Sequence, residues 1–143
     1  MIRTEDAFGE ADVDCVTTAT RTQQALEAVP DGEVAVVTGF IASTESGVQT
    51  TLGRSGSDYT ATIIGGALAA EKVVIWTDVD GVLSADPRLV PGAFTLPALS
   101  YREAGEMAYF GAKVLHPRTM RPLLEQSIPL ALIPISEPTR QAE

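Results

Sequence analysis

Three stretches of this 143-residue chain carry side chains able to handle an anion. Gly53-Arg54-Ser55-Gly56-Ser57-Asp58 offers a guanidinium, hydroxyls, and glycines that let backbone N–H groups approach a ligand. With a helix expected from Asp58, that loop suits a carboxylate or phosphate, which would gain from the Arg54 fork and from a helix amino terminus. Thr77, Asp78, Asp80 and Arg88 form a second set, and Lys113, with Gly111 shortly before it, a third. Placed at the carboxyl ends of parallel strands, Arg54, Arg88 and Lys113 would make a cationic site for an anionic ligand. Each stretch also has a plainer reading: a strand-to-helix turn, a side-chain-capped turn, and a surface lysine.

The rest of the composition removes whole classes of chemistry. The net charge is −9, unfavourable for holding a phosphate backbone. Most of that charge is local, because residues 1–33 hold eight acids against Arg3 and Arg21, a balance of −6. Cys15 is the only cysteine, so an internal disulfide is excluded, and the thiol reads as a semi-buried structural one. His116 is the only histidine, which excludes multi-histidine metal centres; no metal-binding residues are assigned. No run of apolar residues is long enough for a membrane span, and a reducing, cytoplasmic setting is expected.

The elements that must position these residues follow from periodicity and punctuation. A helix is expected from Cys15 to about Ala28, closed by Pro30-Asp31-Gly32. The β-branched run Val34–Ile41 reads as a buried strand, Ser43–Gly47 as a turn, and Val48–Leu52 as a second strand. Apolar spacing gives a helix over Asp58–Ala70, capped by Ser57 or Ser55. Gly65-Gly66 inside it costs about 1 kcal/mol per glycine relative to alanine, or marks close packing. Lys72–Val79 is the next buried strand. Strand, helix and strand in that order make a crossover unit, hence an α/β fold with a parallel sheet under helices. A loop of some twenty residues follows, a length usual for lids and binding loops. Ser100 and Glu103 form a capping box for a helix to about Phe110, which Gly111 stops. Pro117 opens a helix to about Gln126, and Pro129–Ile133 reads as a last strand.

Five strings, in order, resemble aspartate kinase of the amino-acid kinase family. They are Thr38-Gly39-Phe40-Ile41, Leu52–Tyr59, Trp76-Thr77-Asp78-Val79-Asp80-Gly81-Val82, Asp86-Pro87-Arg88 and Phe110-Gly111-Ala112-Lys113-Val114-Leu115-His116-Pro117. The opening Ile2–Gly9 also resembles the segment leading into them, and bifunctional aspartate kinase–homoserine dehydrogenases are about as similar. The resemblance implies a three-layer α/β/α sandwich with a mainly parallel sheet, incomplete at its amino-terminal side. Residues 1–133 would be a partial kinase domain, and 134–143 a disordered tail or sequencing scar. The implied reaction is ATP-dependent phosphorylation of the side-chain carboxylate of L-aspartate to 4-phospho-L-aspartate, on the route to lysine, threonine and methionine.

Carried over by motif, Phe40, Arg54, Ser57 and Asp58 would bind the amino acid, Arg54 gripping a carboxylate. Asp58 would face the substrate ammonium or orient a catalytic lysine. Thr77, Asp78, Leu83, Arg88 and Lys113 would bind Mg-ATP; Leu83 stands where some relatives carry tyrosine, and Lys113 would reach the phosphates. Asp58 and Lys113 are thus the catalytic candidates. A carboxylate nucleophile is already ionised at pH 7, so the absence of a nucleophile–base pair fits. The family's Lys-x-Gly-Gly-Thr/Ser phosphate loop does not occur in these residues, which are expected to be inactive alone. Full-length relatives imply a homo-oligomer. Other amino-acid kinases, acting on glutamate or acetylglutamate, and a non-catalytic nucleotide-binding module remain the alternatives.

Overall fold

The computed structural model describes residues 2–5, 11–79, 81–110 and 115–135. Among these residues eight elements run in the order α1 (Cys15–Glu27), β1 (Ile41–Ser43), β2 (Gln49–Thr51), α2 (Gly56–Ala67), β3 (Val73–Thr77), α3 (Tyr101–Tyr109), α4 (Pro117–Leu124) and β4 (Leu130–Pro134). Helix α1 starts where Asp14 accepts a hydrogen bond from the Thr17 N–H, one of the donors left over at a helix start. Ser100 and Glu103 form the capping box of α3, each side chain satisfying the other residue's backbone. His116 caps α4 through Nδ1, which accepts from the Arg118 N–H.

Helix α2 is the centre of the molecule. Its Tyr59 and Ile63 pack with Ile2, Ala42 and Leu52 into one apolar cluster, and Ala61 leans on the other, built from Val73, Leu123 and Ile128. The paired glycines are there for contact. A Cβ on Gly65 would lie 2.4 Å from Val73 Cγ2, and one on Gly66 would lie 2.8 Å from the carbonyl oxygen of Pro122. Two glutamines then cover carbonyls at the end of α2: Gln23 Nε2 donates to Ala67 O at 3.0 Å and Gln126 Nε2 to Gly66 O at 2.8 Å. Arg118 joins the amino-terminal segment to this core. Its guanidinium lies 5.0 Å from the Tyr59 ring centre and donates to Ala11 O at 2.8 Å.

The α/β class stands, with a different strand pairing from the expected crossover. Strand β3 pairs in parallel with β4, Val73 opposite Leu130 through Thr77 opposite Pro134, and α3 and α4 lie in the connection. Strands β1 and β2 form a separate antiparallel hairpin. The expected strand over Val34–Ile41 shrinks to β1, which begins only at Ile41. Residues 34–38 make no backbone hydrogen bonds with the other described residues, and Val34 and Val36 are 86% and 94% exposed. A β-branched run becomes a buried strand only when neighbours cover its edges and faces, and none of the described residues do so here.

Smaller corrections concern the ends of elements. Helix α2 opens two residues earlier than expected, with Ser55 at its cap but in a left-handed conformation and without a side-chain bond. Cys15 is exposed rather than semi-buried, its Sγ donating to Val13 O at 3.6 Å. Strand β4 ends at Pro134, one residue past the expected Ile133, and the Ile135 N–H donates to Thr77 O at 2.7 Å. Residues 136–143 of the expected tail lie outside the described residues.

Candidate active site

The loop before α2 owes its shape to backbone conformations that side chains disfavour. Gly53 has φ +72°, Ser55 φ +55°, and across from them Phe40 has φ +72°. For glycine that region is open; for a phenylalanine it is a genuine outlier, the kind of strain that clusters at ligand sites. Two backbone bonds hold Phe40: its N–H donates to Thr60 Oγ1 at 3.0 Å, and its carbonyl accepts from the Leu52 N–H at 3.0 Å. Its ring closes on the first residue of α2, so that a Cβ on Gly56 would sit 2.6 Å from Phe40 Cδ2. Gly39 presses on Ser57 in the same way, at 3.2 Å. The Thr38–Ile41 string and the Gly53–Asp58 string therefore interlock.

Around this junction Ser57 is exposed, Asp58 half-buried on the first turn of α2, and Arg54 exposed, with no hydrogen bond or ion pair among the described residues. Burial pushes the Asp58 carboxyl above its ordinary value. A free guanidinium, hydroxyls and a partly desolvated carboxylate make a set that can take both ends of an amino acid, carboxylate and ammonium.

The nucleotide candidates are arranged differently. A short link reverses the chain after α2. Gly65 near the end of α2 packs against Val73 at the start of β3, and Thr77 closes that five-residue strand. The Thr77 hydroxyl reaches Asp78 Oδ1 at 3.4 Å, and Asp78 is exposed. The long loop is not structureless. Ser84 N–H donates to Phe94 O and Leu96 N–H to Val82 O, both at 2.8 Å, pinning it as an irregular hairpin with half-buried Leu83 opposite Thr95.

Arg88 corrects the picture of a row of bare cations. Asp86 takes its Nε at 3.0 Å and Nη2 at 2.7 Å, a two-pronged pair whose carboxylate also accepts the Arg88 backbone N–H. That partner raises the arginine's pKa further and cancels much of its field. Asp80 and Lys113 lie outside the described residues. Among the described residues no group of three or more potential ligands stands together for a metal. Among the described residues, cavities lie elsewhere: one of about 830 Å³ between α1, α2 and α4, a polar one of about 730 Å³ beside Arg3, Arg21 and Glu45, and an apolar one of about 450 Å³ under residues 33–38. Sequence reasoning passed over Thr60 and, though it quoted Asp86-Pro87-Arg88, gave Asp86 no role. The signals for them were a threonine four residues after the loop glycine Gly56, and an aspartate two residues before the arginine.

The class of protein is shown by comparison: the chain belongs to the amino acid kinase family, whose model matches residues 4–133. Within the family the similarity runs to aspartokinases. The chain is 48% identical over 132 residues to the maize (Zea mays) chloroplastic bifunctional aspartokinase/homoserine dehydrogenase 2, covering 92% of this chain and 14% of that protein. It is 46% identical over 131 residues to lysine-sensitive aspartokinase 3 of Escherichia coli K12, covering 91% of this chain and 29% of that enzyme. The crystal structure of E. coli aspartokinase III in complex with aspartate and ADP superimposes with a TM-score of 0.85 at 43% identity, over 93% of this chain and 30% of that one. The chain thus spans less than a third of each of these relatives. No helix among the described residues is long and apolar enough to cross a membrane.

Proposed function

We propose that this chain carries the amino-acid pocket and part of the nucleotide face of an aspartate kinase. The reaction is attack of an ionised side-chain oxygen of L-aspartate on the γ-phosphorus of ATP. An O–P bond forms, the bond from that phosphorus to the β–γ bridging oxygen breaks, ADP leaves, and 4-phospho-L-aspartate remains. No proton moves, since the nucleophile is ionised at neutral pH, and catalysis rests on positioning and charge neutralisation. The observation that carries the reading is the interlock of Phe40 with Gly56 and of Gly39 with Ser57, which brings the Thr38–Ile41 string against the loop that carries Arg54, Ser57 and Asp58 in sequence. Arg54 holds a substrate carboxylate in its fork and Asp58 answers the ammonium or a lysine.

Thr77, Asp78, Leu83 and Arg88 face the nucleotide, with Lys113 at its phosphates. Among the described residues no group of carboxylates gathers to hold a metal, so Mg²⁺ would enter on the nucleotide and would neutralise phosphate charge there. We place the protein in an aqueous, reducing compartment, as a homo-oligomer when joined to the rest of such an enzyme. Residues 1–133 act as part of a kinase domain, and turnover needs a phosphate-loop lysine that these residues do not supply. Binding is therefore the measurement to make. Trp76 is 64% exposed and adjoins Thr77, so its fluorescence reports nucleotide. The 143-residue chain should bind MgADP with a change in Trp76 emission. Calorimetry should show L-aspartate bound at least about tenfold more tightly than L-glutamate, a difference of ~1.4 kcal/mol. Arg54→Ala should remove aspartate binding and spare MgADP. Tighter binding of glutamate would move the chain to another amino-acid kinase, and nucleotide binding without any amino-acid binding would make it a nucleotide-binding module.

A further inference from the structure

Thr60 is 4% exposed, and its hydroxyl uses both of its capacities. Oγ1 donates to the Gly56 carbonyl at 2.8 Å and accepts the Phe40 N–H at 3.0 Å. The first bond is ordinary for a threonine inside a helix. The second is not, since it ties the helix to the backbone of another segment at a residue with φ +72°. A bulky residue stays in that conformation only while its surroundings over-determine it. Here three constraints do so: the Thr60 hydroxyl, the Leu52 N–H on the Phe40 carbonyl, and the ring lodged where Gly56 has no side chain. The hydroxyl is the one constraint that a single isosteric substitution removes cleanly.

We propose that Thr60 is a positioning residue for amino-acid recognition: its hydroxyl clamps Phe40 against Gly56 and so fixes the spacing between Phe40 and the Arg54–Ser57–Asp58 loop. This rests on the amino-acid pocket proposed above. Valine at 60 keeps the shape but strips both bonds and leaves the Phe40 N–H without its acceptor, freeing Phe40 to relax to an extended conformation. Serine restores the oxygen.

The test measures hydrogen exchange at the Phe40 amide by NMR, together with calorimetric affinities for L-aspartate and MgADP, on the 143-residue chain. Thr60→Val should speed Phe40 exchange and weaken aspartate by about tenfold, with MgADP unchanged; Thr60→Ser should recover both. Gly56→Ala leaves the hydroxyl in place and displaces the ring, so it must also weaken aspartate, and it serves if the valine variant fails to fold. The clamp is overturned if Thr60→Val leaves Phe40 exchange slow, or if exchange speeds up while aspartate affinity holds. Equal losses for aspartate and MgADP would reduce Thr60 to a general stabiliser and overturn it as well. If the wild-type chain binds no aspartate, the pocket reading itself fails and takes this proposal with it, an outcome distinct from the others because it appears before any substitution is made.

Discussion

Asp58 is the residue whose chemistry and stability pull in opposite directions. Burial raises its carboxyl pKa in the folded chain, whereas the unfolded chain titrates at the ordinary value near 3.8. Between those two values the folded state holds more protons than the unfolded one, so stability falls as pH rises through that window. This is opposite to Asp14 and Glu103, whose pKa values are lowered by hydrogen bonds from Thr17 and from Ser100, and whose contributions are lost as pH falls. Asp58→Asn should therefore have a higher Tm than wild type at pH 7, the gap closing as the pH is lowered past the ordinary carboxylate range. An equal or lower Tm at pH 7 would mean that burial is not what sets this carboxyl. In the same variant aspartate binding should weaken, since Asp58 is argued to meet the substrate ammonium or a lysine. A destabilising carboxylate at this position is what a binding site, rather than a packing site, would keep.

Among the elements, α2 carries the most constraint, and its glycines show why a helix accepts two poor helix formers. Gly66→Ala recovers up to about 1 kcal/mol of helix propensity. It also drives a Cβ to 2.8 Å from the Pro122 carbonyl oxygen, which is backbone and cannot rotate away. Overpacking of this kind costs ~1–3 kcal/mol, so the substitution should be destabilising on balance. A lower midpoint in urea with unchanged slope would bear this out; a higher midpoint would mean that α4 can shift away freely. Helix α3 is the contrasting case. No residue of it is buried, and it is held by its capping box and by the Tyr101 hydroxyl donating to Ile128 O.

At the scale of the whole molecule the conspicuous feature is apolar surface left without cover. Val34 and Val36 stand almost fully exposed on an extended segment with no backbone partners among the described residues, above a cavity walled by Leu26, Ile41 and Leu68. Exposed β-branched strand edges recruit other strands. The 143-residue chain should therefore self-associate at micromolar concentration, and Val36→Lys should shift it toward monomer in sedimentation velocity without changing its far-UV circular dichroism. Association unchanged by that lysine would place the contact elsewhere, with the exposed Leu89 and Phe94 of the hairpin loop next in line.

Much of what is set by local interactions was legible in the sequence, the start of α2 and the Asp86–Arg88 pair being local features it did not yield. Helix α1 runs over Cys15–Glu27 as its periodicity requires, Ser100 and Glu103 cap α3 across three residues, and Pro117 opens α4. The motif strings likewise identified the family before any contact was known, because loop chemistry is written in consecutive residues. Tertiary structure alone decided which strand meets which. A β-branched run looks the same whether or not a neighbour pairs with it, so Val34–Ile41 read as a buried strand whereas its residues 34–38 stand exposed, while β3 found its partner in β4 rather than across α2. It also decided that a threonine inside α2 reaches Phe40, a contact between residues twenty apart that depends on how segments converge in space. Hydrogen-bonded caps and helix periods act over a few residues of chain, whereas strand pairing, backbone strain and desolvation are set by whatever the rest of the fold brings alongside.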